Sequence, residues 1–575
     1  MGHKVWKVAN PLSDQALQLA TVLGVSPLLG QLLLNRGITE PETAAAFLKP
    51  ELSQLHDPFL LPGMERAISR IQQAIRVQEP VLVYGDYDVD GITSVALLIR
   101  VMARLIPGKL LYYIPKRLEE GYGLHTESLE KALDRGVSLI ITVDCGISAL
   151  EEATYLKSRG VDLIITDHHE PPAILPEAYA IINPKLPGGA YPFTQLAGVG
   201  VAFKLLQGLV RPFPELEPRL LDNLDLVAFG TVADIVPLVG ENRVLVKYGL
   251  ERLEKTGNAG IQALIEVAAV KNRPVGCSQI GYVLAPRINA AGRMGNPSVA
   301  VKLFLTSDPA KTQEYARELE NQNQLRQEIE NRVLTEAQEQ LRNSPGLLDG
   351  RALVLAGDNW HLGVIGIVAS KLVEIYNKPV ILIGLDGDEG RGSGRSIAGF
   401  NLFQAVEKCG HFLNQFGGHE FAVGLGIRRD RVSEFREAFM EFAKERLTAE
   451  DLTPVLKVES MMPLDGLTLD LVKELNLLAP CGPSNPVPVL GCRSLHLISF
   501  KNVGENGKHL KLTVTDDRVV KEAIGFNLGF VNQELAATPE VDVAFSLEEN
   551  SWNGVVQVQL NLKDVVCNRE AIGSE

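Results

Sequence analysis

The chain has 575 residues and carries 56 Lys and Arg against 70 Asp and Glu, a net charge of −14. A composition that is 46% apolar and 22% charged is that of folded globular cores, which excludes a disordered or collagen-like chain. At roughly 100–200 residues per domain, the length fits three or four domains. The six cysteines, Cys145, Cys277, Cys409, Cys481, Cys492 and Cys567, are scattered and form no CxxC pair. That argues against a disulfide framework and against a thiolate zinc site. The first residues lack the basic-then-apolar layout of a signal peptide, and no apolar run approaches the ~18 residues of a membrane span. The expectation is a cytoplasmic protein with no membrane association. The acidic total does not exclude a nuclease, because phosphate binding follows local patches and bound metal.

Residues 1–60 read as helical with loop punctuation. Leu32, Leu33 and Leu34 precede Arg36-Gly37, and Pro50, Pro58 and Pro62 break the chain. Ile68, Ile71 and Ile75, spaced three and four apart, predict a helix from Met64 to about Val77. Three short apolar runs follow at 81–84, 137–143 and 163–166. They end respectively at Gly85-Asp86, at Asp144 and at Asp167-His168-His169. Mostly β-branched runs of this length, separated by helical stretches, predict buried parallel strands in βαβ units. Ligands bind at the carboxyl ends of such strands, so the three polar clusters should converge in one crevice.

The region 198–300 reads as mostly helical. Residues 310–344 contain neither Gly nor Pro, with Tyr315, Leu319, Ile329, Val333, Ala337 and Leu341 on one stripe. This predicts a continuous connecting helix of ~52 Å. A second α/β unit is expected over about 350–450, with strands at 352–356 and 380–383 and Gly-rich turns at 384–399 and 417–426. Beyond Leu447 the pattern alternates, as in Leu510/Leu512/Val514, Val541/Val543/Phe545/Leu547 and Val556/Val558/Leu560/Leu562. Asn553-Gly554 supplies a hairpin turn, and a small C-terminal barrel is the expectation.

Asp86, Asp88 and Asp90 crowd three carboxylates into one turn, where cations are the cheapest compensation. A calcium loop counted from Asp86 would need Glu at its twelfth position, which is Leu97. Asp167-His168-His169 adds two adjacent imidazoles beside a carboxylate, and Asp144 lies at the neighbouring strand end. Carboxylate and imidazole without thiolate suit manganese or magnesium. The donors suffice for two ions sharing a carboxylate, a device for in-line displacement at phosphorus. On pattern alone, Asp234 reads as an N-cap or loop residue. The segments RINAAGRMG (287–295) and GRGSGRS (390–396) read as flexible and Gly-bearing, either solvated loops or phosphate grips built on guanidiniums.

GDYDVDG, VDCG, TDHHE and GTVADIVPL, in this order, resemble the four motifs of the DHH phosphoesterase superfamily. GDYDVDGITS, RINAAGRMG, GRGSGRS and Gly417-Gly418-His419 resemble the RecJ family of bacterial single-strand-specific 5′ exonucleases. The resemblance covers nearly the whole chain and implies an α/β multidomain fold. Its parts would be an N-terminal helical extension (1–60), a parallel-sheet DHH catalytic domain (61–305) and a long connecting helix (306–348). An α/β DHH-associated domain (349–450) and a C-terminal β-barrel OB-fold (451–575) would follow.

The resemblance implies Asp88, Asp90, Asp144, His168 and Asp234 as metal ligands. Asp86 and His169 would be ligands or their supports, and Asp167 would orient an imidazole. Arg117, Arg293, Ser393 and Arg395 would form a pocket for the 5′ end of a strand. Arg287, Ser396, Gly417 and Gly418 would add nucleic-acid contacts, and His419 would hydrogen-bond the scissile phosphate, while a structural role for His411 reads equally well.

The implied function is 5′-to-3′ hydrolysis of single-stranded DNA to 5′-mononucleotides with two manganese or magnesium ions, in DNA repair and recombination. A monomer acting beside a helicase and a single-strand-binding protein is expected by resemblance. One alternative is a DHH phosphoesterase for a small substrate, such as a pyrophosphatase, an oligoribonuclease or a cyclic-dinucleotide hydrolase. Those relatives resemble only the two middle domains and tend to carry a His-led first motif. A non-catalytic scaffold would have lost ligands, and none is missing here. Trp552 is a candidate base-stacking platform, whereas Phe500, Phe526, Phe530 and Phe545 are expected in the core.

Overall fold

Five parallel strands carry the first half of the chain: β1 (Val81–Gly85), β2 (Leu110–Tyr113), β3 (Leu139–Val143), β4 (Asp162–Thr166) and β5 (Ala180–Ile182), in the order β2-β1-β3-β4-β5. The computed structural model describes every residue except 1–3, 11, 118, 271–273, 537, 539, 553–554 and 568–575. β1 and β3 are buried along their whole length, as β-branched runs covered on both faces should be. β2 and β5 are short and were not anticipated from the sequence. The register sets Gly85 beside Val143 and Val143 beside Thr166, so three strands end level with one another. The chain leaves β1 toward one side for β2 and returns to the other side for β3. The carboxyl ends of β1 and β3 therefore flank a topological switch point.

Helix α1 (Met64–Val77) lies where the isoleucine spacing predicts it. The next helices are α2 (Val89–Met102), α3 (Gly198–Val210) and α4 (Leu224–Ala233). α2, α3 and α4 are largely apolar all round and pack on one another in the main core. A π-helical turn at Ile280–Leu284 leads directly into α5 (Ala285–Met294). The RINAAGRMG segment, expected to be a flexible loop, is thus helical through Met294. Its Gly292 permits a close approach: a Cβ there would stand 3.0 Å from the Tyr87 carbonyl oxygen. α6 (Pro309–Asn343) is one continuous 35-residue helix, within a residue of the expected span at each end.

The chain divides into two compact units. One comprises residues 42–325 together with 478–486, and the other 1–41, 326–477 and 487–575. Residues 1–60, read from the sequence as a single helical extension, are therefore split between the two. They also begin with a strand, Val5–Val8, paired in parallel with Val455–Val458.

The short segment 478–486 belongs to the unit of residues 42–325 because Arg243 holds it. This buried guanidinium donates to the carbonyls of Leu478 (2.8 Å), Ala479 (2.8 Å) and Pro480 (3.1 Å), and to that of Phe47 (2.9 Å). It also stacks 3.9 Å from the Phe47 ring.

In the other unit a five-stranded sheet is built from β6 (Leu353–Asp358), β7 (Val380–Asp386), β8 (Glu389–Arg395), β9 (Leu413–His419) and β10 (Ala422–Arg428). Their order is β9-β10-β8-β7-β6, with α7 (Leu362–Tyr376) packed on β7 and β8. The Gly-rich stretches expected as turns at 384–399 and 417–426 are mostly strand. The reason is alternation. A Cβ at Gly392 would meet Leu425 at 2.7 Å, and one at Gly394 would meet Val423 at 2.8 Å. The glycines form a bare face filled by neighbouring aliphatic side chains, while Arg391, Ser393 and Arg395 alternate onto the other face.

The C-terminal sheet comprises β11 (Ser460–Met461), β12 (Leu490–Val503), β13 (His509–Thr515), β14 (Val520–Gly525), β15 (Glu540–Trp552) and β16 (Val555–Val566). They lie in the order β11-β12-β13-β14-β16-β15, with a further pairing of β15 to β12. β12 thus has three hydrogen-bonded neighbours, β11, β13 and β15, and β13, β14, β15 and β16 have two each. Leu510, Leu512, Val514, Val541, Val543, Phe545, Val558, Leu560 and Leu562 are buried, as the alternation predicts, whereas Leu547 is half-buried and Val556 is exposed. Phe526 and Phe530 correct the expectation of core aromatics: they are 56% and 49% exposed, beyond the end of β14. The side chain of Trp552 and the turn residues Asn553-Gly554 lie outside the described residues.

Candidate metal centre

The site forms from the first residues past the level ends of β1, β3 and β4. Gly85 hands over to a turn in which Asp88 is the N-cap of α2. Its carboxylate accepts from the backbone N–H of Asp90 (2.9 Å) and of Gly91 (3.1 Å). Gly91 is required there, since a Cβ would stand 2.5 Å from the Asp86 carbonyl oxygen. Asp90 points inward from the first turn of α2. It accepts two N–H bonds from the start of α3, Gly198 at 2.6 Å and Val199 at 2.7 Å. Asp144 follows β3 in the left-handed region, with φ 61°.

Asp167, after β4, is fully buried and accepts from the N–H of Ile147, His168 and His169, and lies 2.7 Å from His169 Nδ1. It thereby fixes the His169 ring, the orienting role expected of it. Asp234 caps the carboxyl end of α4. A carboxylate there faces the negative end of the helix dipole, an unfavourable placement without a cation.

These side chains converge. His168 Nε2 lies 3.1 Å from Asp144 Oδ1, 3.6 Å from Asp234 Oδ2 and 3.9 Å from Asp90 Oδ2. Three sets have ligand atoms within 4.8 Å of one another: Asp86, Asp88 and Asp144; Asp90, His168 and Asp234; and Asp144, His168 and His169. The three sets bring together the seven residues singled out from the sequence as ligands or their supports, with Asp144 and His168 each in two sets.

The electrostatics call for positive charge. Burial, followed by the charge of Asp88, pushes Asp90 up to about 7. Burial and neighbouring carboxylates hold Asp86, Asp144 and Asp234 well above the usual carboxylate range. Burial lowers His168 to about 3, so its imidazole is neutral. Burial also works against a charged His169, but the hydrogen bond to Asp167 and its negative charge outweigh that and raise its pKa.

The fit to a cation rests on four orphaned atoms. Asp86 Oδ1, Asp144 Oδ1, His168 Nε2 and Asp234 Oδ2 are buried without a hydrogen-bond partner. Four lone pairs facing one cavity are costly in a folded protein unless something electron-poor occupies it. Oxygen and neutral imidazole donors suit a hard divalent cation such as manganese or magnesium.

Two arginines flank this centre. Arg117 stacks 5.2 Å from the Tyr87 ring and lowers the pKa of Asp86 through its charge. The positive charges of Arg117 and Arg293 both act to lower the pKa of Tyr87, against burial and the charges of Asp86 and Asp88, which raise it. Arg287 is placed differently from the expected nucleic-acid contact. It donates to Glu320 (2.5 Å) and to the Val283 carbonyl (2.5 Å).

In the other unit, Arg395 donates to Ser393 Oγ (3.2 Å) and the Gly394 carbonyl (2.7 Å). A Cβ on Gly366 of α7 would touch both side chains, at 2.9 and 3.1 Å. Ser396 donates to the Phe400 carbonyl. Gly417, Gly418 and His419 end β9 and are exposed, with His419 Nδ1 accepting from the Phe421 N–H. His411 lies against Phe412.

Three supports were not anticipated. Tyr122 donates to the Asp144 carbonyl (3.3 Å) and lies 3.2 Å from His169 Nδ1. Asn183, just past β5, donates to the His169 carbonyl (2.9 Å). Gly198 supplies the N–H that holds Asp90. The apolar run 180–182 ending in Asn183 was a readable signal for the second of these; nothing in the pattern marks Tyr122 or Gly198.

The model of the DHH family N-terminal domain matches residues 80–231, that of the DHHA1 domain residues 349–445, and that of the RecJ OB domain residues 458–564. Fold and site together define a phosphoesterase of the DHH class. The single-stranded-DNA-specific exonuclease RecJ of Bacillus subtilis (strain 168) is 38% identical over 565 residues, 98% of this chain and 71% of that protein. Crystal structures of RecJ from Thermus thermophilus in complex with Mn2+ and with Mg2+ match with TM-scores of 0.83 and 0.77, at 31% and 30% identity. They cover 98% of this chain and 79% and 78% of theirs. The chain belongs to the RecJ family.

Proposed function

We propose that this chain is a metal-dependent exonuclease that degrades single-stranded DNA from its 5′ end and releases 5′-mononucleotides. The observation that carries the reading is the pair of ligand sets, Asp86/Asp88/Asp144 and Asp90/His168/Asp234, filled with unpartnered buried acceptors in a member of the RecJ family. Asp86, Asp88, Asp90, Asp144, His168 and Asp234 would hold two divalent ions. Such ions neutralise charge on the scissile phosphate and acidify an attacking water.

The chain's own groups prepare the geometry. The N–H groups of Gly198 and Val199 fix Asp90, the Asp88 cap fixes the turn, and Asp167 holds the His169 ring through Nδ1. Arg117 and Arg293 would grip phosphate beside the centre. Ser393 and Arg395, with Ser396, Gly417, Gly418 and His419, are proposed as further contacts to the strand.

The division into 61–305, 306–348, 349–450 and 451–575 is part of the same reading, with residues 1–60 shared between the two compact units. So are a monomeric state, a cytoplasmic role in DNA repair and recombination, and cooperation with a helicase and a single-strand-binding protein. The family-model matches at 80–231, 349–445 and 458–564 fall within three of these segments. No single helix among the described residues is long and apolar enough to cross a membrane.

The test is digestion of end-labelled strands with manganese or magnesium. A 5′ label should appear first as mononucleotide, a 3′ label should stay on a shrinking ladder, and EDTA should stop both. Release of the 3′ label first would overturn the polarity. Hydrolysis of pyrophosphate or dinucleotides, with long strands untouched, would favour the small-substrate alternative.

A further inference from the structure

Immediately after the ligand Asp234, Ile235 adopts φ 62°, in the left-handed region. Ten other described non-glycine residues have positive φ, and none of them is β-branched. A β-branched side chain clashes with its own backbone there, so the conformation persists only when its surroundings impose it. Both flanks do so. Asp234 is fixed by its N–H to Gly230 (2.9 Å) at the end of α4. The Pro237 carbonyl accepts from Asn242 (3.0 Å), and the Leu238 N–H is held by Pro483 (2.9 Å).

The side chain gains nothing from packing: Ile235 is 71% exposed. A solvent-exposed isoleucine in a conformation suited to Gly or Asn, next to a metal ligand, is strain without a structural return. Its neighbours in the centre are carboxylates, imidazoles and guanidiniums, all of which address phosphate and metal. Ile235 is an exposed apolar side chain directly after one of the candidate ligands.

We propose that Ile235 is a substrate-positioning residue that packs against the sugar or base of the nucleotide bearing the scissile phosphate. It would supply apolar contact that an inorganic phosphate compound cannot use, and so contribute to selection of nucleotides. This rests on the exonuclease reading above.

The experiment compares the full-length parent with Ile235→Gly, Ile235→Asn and Ile235→Leu on a 5′-phosphorylated single strand with manganese. Gly and Asn accept the left-handed backbone, so both variants should fold, with a melting temperature equal to or above that of the parent. Manganese affinity by calorimetry should stay within about twofold in all three, because Asp234 keeps its flanking restraints. KM should rise about tenfold in Gly and Asn with a smaller loss in kcat, and Leu should restore KM toward the parent.

Parental KM in the Gly variant would overturn the proposal. So would a KM rise matched by lost manganese affinity, which would make Ile235 a backbone spacer for Asp234. A parent that does not degrade single strands would instead sink the exonuclease reading, and the two failures are distinct.

Discussion

Asp88 accepts the backbone N–H of Asp90 at 2.9 Å, so one candidate ligand sets the backbone of another. The cap that starts α2 and the carboxylate facing the metal centre are the same group. Local helix chemistry and site assembly cannot be separated here, and mutating Asp88 should cost both stability and turnover. Ligands with no capping duty give cleaner tests.

Asp144 is one of these. Asn tolerates the left-handed region, so Asp144→Asn should preserve the backbone while removing charge from a crowded cluster. In EDTA its melting temperature should match or exceed that of the parent, because like-charge repulsion is relieved. Manganese should raise the melting temperature of the parent, as any ligand of the native state does, and raise that of the variant much less. Hydrolysis should fall to roughly 1% or below, since an electrostatic partner of the reaction centre is lost. Thermal melts with and without metal, alongside a turnover assay, check all three.

Gly198→Ala tests a residue that no motif flags. Its Cβ would stand 2.6 Å from Asp144 Oδ1 and 2.7 Å from Asp144 Cβ, so Asp144 must move. Manganese affinity and turnover should both drop at least about tenfold, the scale seen when support for a metal site is removed. Calorimetric titration that returned the parental affinity would show that the site absorbs the methyl group.

Salt dependence addresses the arginines. Single-strand binding should weaken steeply as salt rises, despite the net charge of −14, because the contacts are local. Arg117→Ala or Arg293→Ala should lower the log–log slope by about 0.7–1 each, one phosphate contact apiece. Arg287→Ala should leave the slope unchanged, because that guanidinium is committed to Glu320 and the Val283 carbonyl. A flat titration for the parent would count against nucleic-acid binding.

A stability prediction concerns Arg70, whose guanidinium bridges Glu79 (2.7 Å) and Asp162 (2.5 Å). Burial alone would raise the Glu79 carboxyl, but its hydrogen bonds with Arg70 and Ser138 and the Arg70 charge hold it below its ordinary 4.5. A carboxyl with a depressed folded-state pKa stabilises the protein above its unfolded pKa and loses that contribution as pH falls through the folded value. Glu79→Gln should therefore cost about 1–2 kcal/mol at pH 7, and the deficit should shrink below about pH 4.5. Denaturant unfolding at several pH values measures it.

The strands β1, β3 and β4 were legible because a buried parallel strand must be an apolar run, and the acids that stop each run are the site. Asp234 was not legible by pattern. It ends an apolar helix, and its fellow ligands come from segments 66 residues or more away in sequence. GRGSGRS reads locally as a turn because glycine breaks most elements. Only the facing Leu425 and Val423 reveal that every second residue must lack a side chain. Phe526 and Phe530 fail for the converse reason, since an aromatic residue's burial is decided by what lies above it, which local spacing does not encode.

The capture of residues 478–486 by Arg243 bears on how the gene can be cut. An expression boundary placed before Leu478, in the natural gap between the DHH-associated and OB regions, would strip three carbonyl partners from a guanidinium buried in the catalytic unit. Removing the partners of a buried charge costs several kcal/mol, in the range of a small domain's whole margin. Catalytic and C-terminal regions are thus not freely exchangeable cassettes. A chimera should carry the nine-residue strap with the catalytic half, or replace Arg243 with an apolar side chain at the same cut.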